Sequence, residues 1–416
     1  MLNMKLTTSI LIYLTPVLLL SQKGGAFFKK IDTNQDGRIT RNELLTNKHS
    51  FDEIDQNGDG EVLPREAMYF FIKQKKEKIN LPQFEPATKA DYALLTNPDF
   101  CQKAANYSET CHGISTLIII NGKIVFEQYG QDHSANKGSF LASGTKSFSG
   151  IIAMMAQEEG LLHIDEKVSE TITEWKSSPQ KSEITIHQLL NLTSGLEASS
   201  SSESSIPTYA EAIKTPLIDE VGTTYSYGSQ PFQVFGELMT RKLKTKNTTL
   251  MEYMQQKLFE PLGLIYEWWA YLDDQPKLPS GAIMTARNWA LFGELIRQNG
   301  SWNGKQLISK ESIDFSFQGS KANPAYGLCW WLNKSVPDSI FIPILTQNLI
   351  DVPQNPLIPS DLVLAAGSGK QRLYISREKN IVIVRQSNKP YQKDDPTPFR
   401  DNVFLSLIFS GKKPSP

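Results

Sequence analysis

Ser143-Gly144-Thr145-Lys146 stands at the front of an apolar stretch that runs from Phe148 to Leu162. On a helix, residues three apart lie one turn above one another on the same face. That spacing puts the Lys146 amine within reach of the Ser143 hydroxyl. A desolvated lysine there can take the serine proton and leave a nucleophile, and the partial positive charge of a helix N-terminus favours the developing alkoxide. Alone, a Ser-x-x-Lys pattern is weak, because many surface helices contain one by chance.

Two later stretches give it context. One is Gly222-Thr-Thr-Tyr225-Ser-Tyr227-Gly-Ser229, followed by Gly236; the other is Ala366-Gly367-Ser368-Gly369-Lys370-Gln371 near the C-terminus. Ser-x-x-Lys, then Tyr-x-Ser/Asn, then a Gly-rich strand is the order of the penicillin-recognising serine hydrolases. From about Ser115 to about Gly411 the chain resembles the class C β-lactamase-related family, which includes D,D-peptidases, esterases and 6-aminohexanoate-dimer hydrolases. Further co-linear stretches carry the resemblance: His187-Gln-Leu-Leu-Asn-Leu-Thr-Ser-Gly195-Leu196, Thr285-Ala286-Arg287-Asn288, Gly300-Ser-Trp302-Asn-Gly304-Lys305 and Tyr326-Gly-Leu-Cys329-Trp330-Trp331.

The resemblance implies an α+β fold of β-lactamase/transpeptidase type. Its antiparallel sheet is flanked by helices, a helical subdomain is added, and the active site lies between them. It also implies an acyl-enzyme mechanism with Ser143 as nucleophile and Lys146 as the group that receives its proton. Two registers are open for the tyrosine. Gly222-Thr223 fixes the start of the segment, and Gly236 falls nine residues after Tyr227, so Tyr227 is assigned to catalysis and Tyr225 to packing. Which of Lys146 and Tyr227 acts as the base stays open. By the same resemblance Ser229 orients Lys146 or the substrate carbonyl. The oxyanion donors are the amides of Ser143 and of Lys370, just past Gly367-Ser368-Gly369. The family's β-lactamases carry Lys-Thr-Gly on this strand, and Gly367 stands where that lysine would be. The expected reaction is therefore ester or amide hydrolysis. A penicillin-binding enzyme and a non-catalytic Ca²⁺-dependent binding protein on a hydrolase fold are the alternatives. Trp268, Trp269, Trp330 and Trp331 are read mostly as core, with a share in an acyl pocket possible by position.

Upstream, two stretches have the spacing of the twelve-residue EF-hand loop, whose positions 1, 3, 5, 7, 9 and 12 supply hard oxygens to Ca²⁺ around a glycine at position 6. The first uses Asp32, Asn34, Asp36, Arg38, Thr40 and Glu43; the second uses Asp55, Asn57, Asp59, Glu61 and Glu66, with Leu63 at position 9 leaving a place for water. Arg38 and Glu61 would contribute backbone carbonyls. Ile39 and Val62 suit a short β-pairing between the loops, and Phe51 belongs to a small core. An N-terminal all-α EF-hand pair over residues 27–75 follows, with a linker over 76–100 and the hydrolase domain over 101–416.

Residues 1–26, with Lys5 before an apolar run and small residues at the end, read as a signal peptide. The protein is thus expected to be secreted or periplasmic, with a membrane role only if that segment is uncleaved. Net charge is −1 across 416 residues, which does not favour a nucleic-acid partner. Cys101 and Cys111 flank a short polar stretch and could form a disulfide in such a compartment; Cys329 is expected to be a buried thiol. Gly369-Lys370 lacks the rest of a phosphate loop, no G-x-S-x-G elbow is present, and the five histidines show no metal-ligand spacing. Asn121-Gly122 between β-branched runs predicts a hairpin, 372–385 predicts another, and Phe399–Phe409 a closing helix.

Overall fold

The computed structural model describes residues 31–34, 38–44, 51–55, 60–62, 84–88, 98–198, 206–337, 340, 352, 355–388 and 398–414. The expected signal peptide lies outside them. The chain divides into two compact units, 1–80 and 81–416. Among the described residues no helix is long and apolar enough to cross a membrane.

The smaller unit has helical stubs at Arg41–Leu44 and Phe51–Ile54. Ile39 and Val62 form an antiparallel bridge with N–H···O distances of 2.8 and 2.9 Å. Its core is Ile31, Ile39, Leu44, Phe51, Ile54 and Val62.

The larger unit is built on a seven-stranded sheet. The strands are β1 (Glu85–Pro86), β2 (Gly113–Ile120), β3 (Lys123–Tyr129), β4 (Trp331–Leu332), β5 (Val363–Gly367), β6 (Gln371–Ser376) and β7 (Ile381–Ser387). Their spatial order is β1-β3-β2-β7-β6-β5-β4. Only β1 pairs in parallel, with β3; the other pairs are antiparallel. The β2–β3 turn has Asn121 at φ 51° and Gly122 at φ 78°, the two left-handed residues of a hairpin turn that matches strand twist. Pairing of β7 with β2, from Ile381 opposite Ile120 to Arg385 opposite Thr116, joins the two ends of the hydrolase region in one sheet.

The central strands are apolar almost throughout because both sheet faces are covered. Alternation sends Leu373 to one face and Tyr374 to the other. On the first face, Gly293 of helix α4 (Ala286–Arg297) sits against Val382 and Leu373, where a Cβ would fall 2.7 Å from the Val382 methyl. On the second, Tyr374 meets Phe404 of α5 (Asp401–Ser410), and Gly411 at the end of α5 packs on Phe100 of α1 (Pro98–Thr110). The helical part includes α2 (Lys146–Glu158) and α3 (Gln230–Lys244). Gly236 of α3 lies under the Tyr209 ring, a space that a Cβ would occupy, and the Tyr209 hydroxyl donates to Pro276 O at 2.7 Å.

One expectation is corrected here. Cys101 and Cys111 are both free and buried. They mark the two ends of helix α1, and ten residues of helix rise about 15 Å, far beyond the Cα separation a disulfide spans.

Candidate active site

Ser143 lies in a single 3₁₀ turn, Ala142–Thr145, and α2 begins at Lys146. The expected apolar helix is thus present, but the serine stands on a tighter lead-in. In a 3₁₀ turn residues i and i+3 eclipse, so the two side chains align more closely than α-helical spacing would bring them. Lys146 Nζ donates to Ser143 Oγ at 3.0 Å and to Pro279 O at 3.1 Å. Gly144 allows this turn to sit on Trp289, whose ring would be 2.8 Å from a Cβ there.

The amine is otherwise enclosed by rings: the Tyr227 centroid is 5.0 Å from Nζ and that of Phe232 is 5.3 Å away. Burial lowers the Lys146 pKa to about 7, because an ammonium loses its hydration and gains no carboxylate. The neutral amine, which is the form that can accept a proton, is thereby made accessible near neutral pH.

The Tyr227 phenol faces the Ser143 hydroxyl; burial pushes its pKa up to about 12, opposed by that hydroxyl and by the charge of Arg372. It is a neutral phenol at pH 7, able to pass a proton. Tyr225 is buried away from the serine, packed on Tyr326 at 5.4 Å and on Trp331 at 6.4 Å. Trp331 also meets Tyr227 at 5.7 Å, whereas Trp269 and Trp330 are fully enclosed core. Ser229 opens helix α3, its N–H donating to Gln230 Oε1 at 3.1 Å. The second hydrogen-bond partner of Lys146 is instead the Pro279 carbonyl.

The C-terminal end of β5 borders the serine turn. A Cβ on Gly367 would collide with Leu141 O and lie 3.1 Å from Gly144 N, so glycine here is what lets the strand touch the turn. Ser368, Gly369 and Lys370 then close the β5–β6 hairpin, with Gly369 and Lys370 both at positive φ. Gly367 is therefore the point of contact with the Ser143 turn, and the amide immediately after it is that of Ser368; Lys370 stands at the far end of the hairpin loop. Arg372 does not stand in for a substrate-binding lysine, because its buried guanidinium is bonded to Asp401 at 2.6 Å and to Gly367 O at 3.2 Å. Lys370 Nζ faces the same carboxylate at 3.8 Å.

Pro279, Leu141 and Asp401 were not singled out from sequence. Pro279 and Leu141 act through backbone carbonyls and leave no residue-type signal. Arg385 did leave one, a lone charge closing the apolar run 381–384, whereas Asp401 directly follows Arg400 and does not stand out.

Residues 100–405 match the model of the Beta-lactamase family. The chain belongs to that family. It is accordingly a serine hydrolase with the β-lactamase/transpeptidase-like fold. Residues 25–46 match the model described as EF hand. Protein flp of Staphylococcus aureus (strain COL) is 26% identical over 172 residues, 37% of this chain and 34% of that protein. The matched stretch thus spans about a third of the curated relative. A solved structure from Bacillus anthracis, provisionally described as a 6-aminohexanoate-dimer hydrolase, superposes with TM-score 0.58 at 18% identity, covering 76% of this chain and 85% of that one. EstCE1, described as a hydrolase with promiscuous acyltransferase activity, superposes with TM-score 0.55 at 14% identity over 77% of this chain and all of its own.

In the smaller unit, the first loop brings Glu43 back over itself: its carboxylate accepts from Thr33 N at 3.2 Å and from Thr40 N and Oγ1, both at 2.9 Å. In the second, Asp55 Oδ2 accepts from Gly60 N at 3.0 Å, and Gly60 has φ 86°. Asp32 and Asp55, the first ligand positions, are both buried. Asn34 is exposed, and Arg38 and Glu61 are joined by an ion pair at 2.9 Å that links the two loops at position 7. Asp36, Asn57, Asp59 and Glu66 lie outside the described residues. Among the described residues no group of three or more His, Cys, Asp or Glu gathers as a metal cluster.

Proposed function

We propose that this protein is a secreted serine hydrolase that cleaves an ester or amide through a Ser143 acyl-enzyme. The observation that carries the reading is the 3.0 Å contact between a buried, easily deprotonated Lys146 and Ser143, with Tyr227 on the same hydroxyl. Neutral Lys146 takes the Ser143 proton as Oγ bonds to the acyl carbon. Backbone amides at the serine turn and at the end of β5 receive the oxyanion. Tyr227 hands a proton to the leaving oxygen or nitrogen and recovers one from Lys146. Water then enters by the reverse relay, giving the acid and free Ser143. The identity of the base is carried by the amine's position: it touches Oγ and titrates near neutrality, while the phenol holds its proton to about 12.

An ester or neutral amide is favoured over a carboxylate-bearing β-lactam because the cations beside β5 are turned to Asp401. The B. anthracis neighbour's description, a 6-aminohexanoate-dimer hydrolase, is compatible with cleavage of an amide bond. Secretion rests on the make-up of residues 1–26. Ca²⁺ fits the smaller unit because two buried carboxylates occupy position 1 of adjacent loops and Glu43 arcs over the first, as the bidentate position does. Bound Ca²⁺ would supply charge neutralisation and order to that unit, and no step at Ser143 needs it.

The test is mass spectrometry of the protein after exposure to a fluorophosphonate and, separately, to a penicillin. A single adduct on Ser143 from the fluorophosphonate alone supports the esterase reading. A stable penicilloyl adduct on Ser143 replaces it with a penicillin-binding function. Absence of either adduct on folded protein favours the binding-protein reading.

A further inference from the structure

Four main-chain carbonyls between Gly367 and Gln371, in and beside the loop that closes β5 onto the serine turn, are held by buried guanidinium groups. Arg372 Nη1 donates to Gly367 O at 3.2 Å and to Gln371 O at 3.0 Å. Arg385 Nη1 donates to Lys370 O at 2.8 Å and to Gly369 O at 3.4 Å. Both arginines are themselves anchored. Arg372 Nε and Nη2 fork onto Asp401 at 2.6 and 3.2 Å, and Tyr374 Oη donates to the same Oδ1 at 2.6 Å. Arg385 donates to Ser108 Oγ at 3.0 Å and Cys111 O at 2.6 Å, and lies 3.9 Å over the Phe399 ring. Asp401, fully buried, opens α5, where a carboxylate is favoured by the helix N-terminus.

Burying two guanidinium groups for one carboxylate is costly unless the geometry is well satisfied. Burial, reinforced by the neighbouring Arg372 charge and opposed by Tyr374 and Asp401, pulls Arg385 down to about 10. Two hydrophobic residues would be a cheaper core, so the arrangement calls for a reason besides stability. What it does is fix the loop whose first residue, Gly367, touches Leu141 and Gly144 on either side of Ser143. The anchors come from the far ends of the hydrolase region: Ser108 and Cys111 from α1, Asp401 from α5.

Building on the serine-hydrolase reading above, we propose that Asp401, Arg372 and Arg385 are positioning residues for acyl transfer. They hold the Gly367–Lys370 loop in register with the Ser143 turn, so that the last helix of the chain sets the rate of the chemical step. None of the three is asked to touch substrate. An error of an ångström in such a loop costs about a hundredfold in rate, whereas ground-state binding of the rest of the substrate is little affected.

The experiment compares Arg372→Lys, Asp401→Asn and Tyr374→Phe with the parent for ester turnover and for the rate at which a fluorophosphonate labels Ser143. Lysine keeps the charge at 372 but cannot reach Gly367 O and both Asp401 oxygens at once. The expected result is a fall in kcat of about tenfold to a hundredfold for Arg372→Lys and Asp401→Asn. KM should stay within about threefold, and phosphonylation should slow in parallel. Tyr374→Phe removes one hydroxyl without changing shape and should lose about twofold to fivefold in kcat; it keeps the comparison decisive if the charged variants do not fold. Parental kcat and labelling rate per folded molecule, in whichever variants fold, overturn the proposal even where the thermal midpoint drops. Ser143→Ala separates the two readings. Turnover surviving that change refutes the active-site assignment, whereas a dead Ser143→Ala beside a fully active Arg372→Lys refutes only the positioning role.

Discussion

Replacing Lys146 by methionine should abolish turnover and yet stabilise the folded protein at mildly acid pH. Lys146 is 4% exposed and its amine titrates near 7 in place of its ordinary 10.5. Between those two values the unfolded chain binds a proton that the folded chain does not. Stability therefore rises with pH across that window and is lowest below it. The full displacement corresponds to about 5 kcal/mol, and between pH 6 and pH 9.5 the single-site linkage recovers about 3 kcal/mol of it. Methionine removes this cost but leaves Pro279 O without its donor and loses the bond to Ser143, a penalty of about 2 kcal/mol. The variant should thus be about 3 kcal/mol more stable than the parent at pH 6 and no more stable than it at pH 9.5. Urea unfolding followed by tryptophan fluorescence reads the right unit, since all seven tryptophans lie between Trp175 and Trp331. Taking the difference between parent and variant at each pH cancels every other titrating group. A difference that stays constant from pH 6 to 9.5 would refute the claim that Lys146 is held neutral by burial.

Ester turnover by the parent should rise with pH along a single limb centred near 7, as Lys146 loses its proton; a limb centred instead near 4 or above 9 would assign the base elsewhere. Tyr227→Phe should reduce kcat by about a hundredfold or more with a thermal midpoint close to the parent's, while Tyr225→Phe should leave kcat within about threefold; the reverse pattern would exchange the two tyrosines. Gly367→Ala should slow Ser143 labelling by about a hundredfold, because its methyl has to displace Leu141 O; an unimpaired variant would show that the contact is dispensable. Calcium added to the intact chain should bind in calorimetry and leave hydrolysis of a small ester unchanged, and Glu43→Gln should weaken that binding by about tenfold or more; loss of ester turnover in chelator with the hydrolase unit folded would contradict the separation of roles.

Sequence reading reached the parts of this molecule whose physics is local. Asn121-Gly122 demands left-handed backbone, and the hairpin is there. The β-branched runs around Ile118 and Ile383 require a covered sheet, and they are its centre. Ser143 and Lys146 are three apart, and any right-handed helical turn brings them together. What escaped depends on contacts distant along the chain. A cysteine pair ten residues apart looks bridgeable until the intervening residues are known to be helix. Pro279 serves Lys146 through a carbonyl, a group every residue has. Gly367 O is held by Arg372, whose anchor is Asp401, twenty-nine residues on, and only the folding of α5 onto β6 makes it a neighbour.

The placement of charge gives the site a single logic. Lys146 is buried with no carboxylate near enough to hold its proton, so its amine is free to act as a base. At Arg372 the opposite choice is made: it is buried with Asp401 and stays charged. A lysine can be neutralised by desolvation, whereas a guanidinium remains protonated and rigid in its fork. In the proposed mechanism one side of the serine thus carries a proton acceptor that changes state in each cycle. The other carries a fixed cation that raises no competing acid–base step, holds the loop, and lowers the cost of negative charge on Tyr227. Exchanging the two residue types, lysine for arginine at either place, would defeat both functions for the same reason. Arginine at 146 could not release a proton at neutral pH, and lysine at 372 could not grip the strand and the carboxylate together.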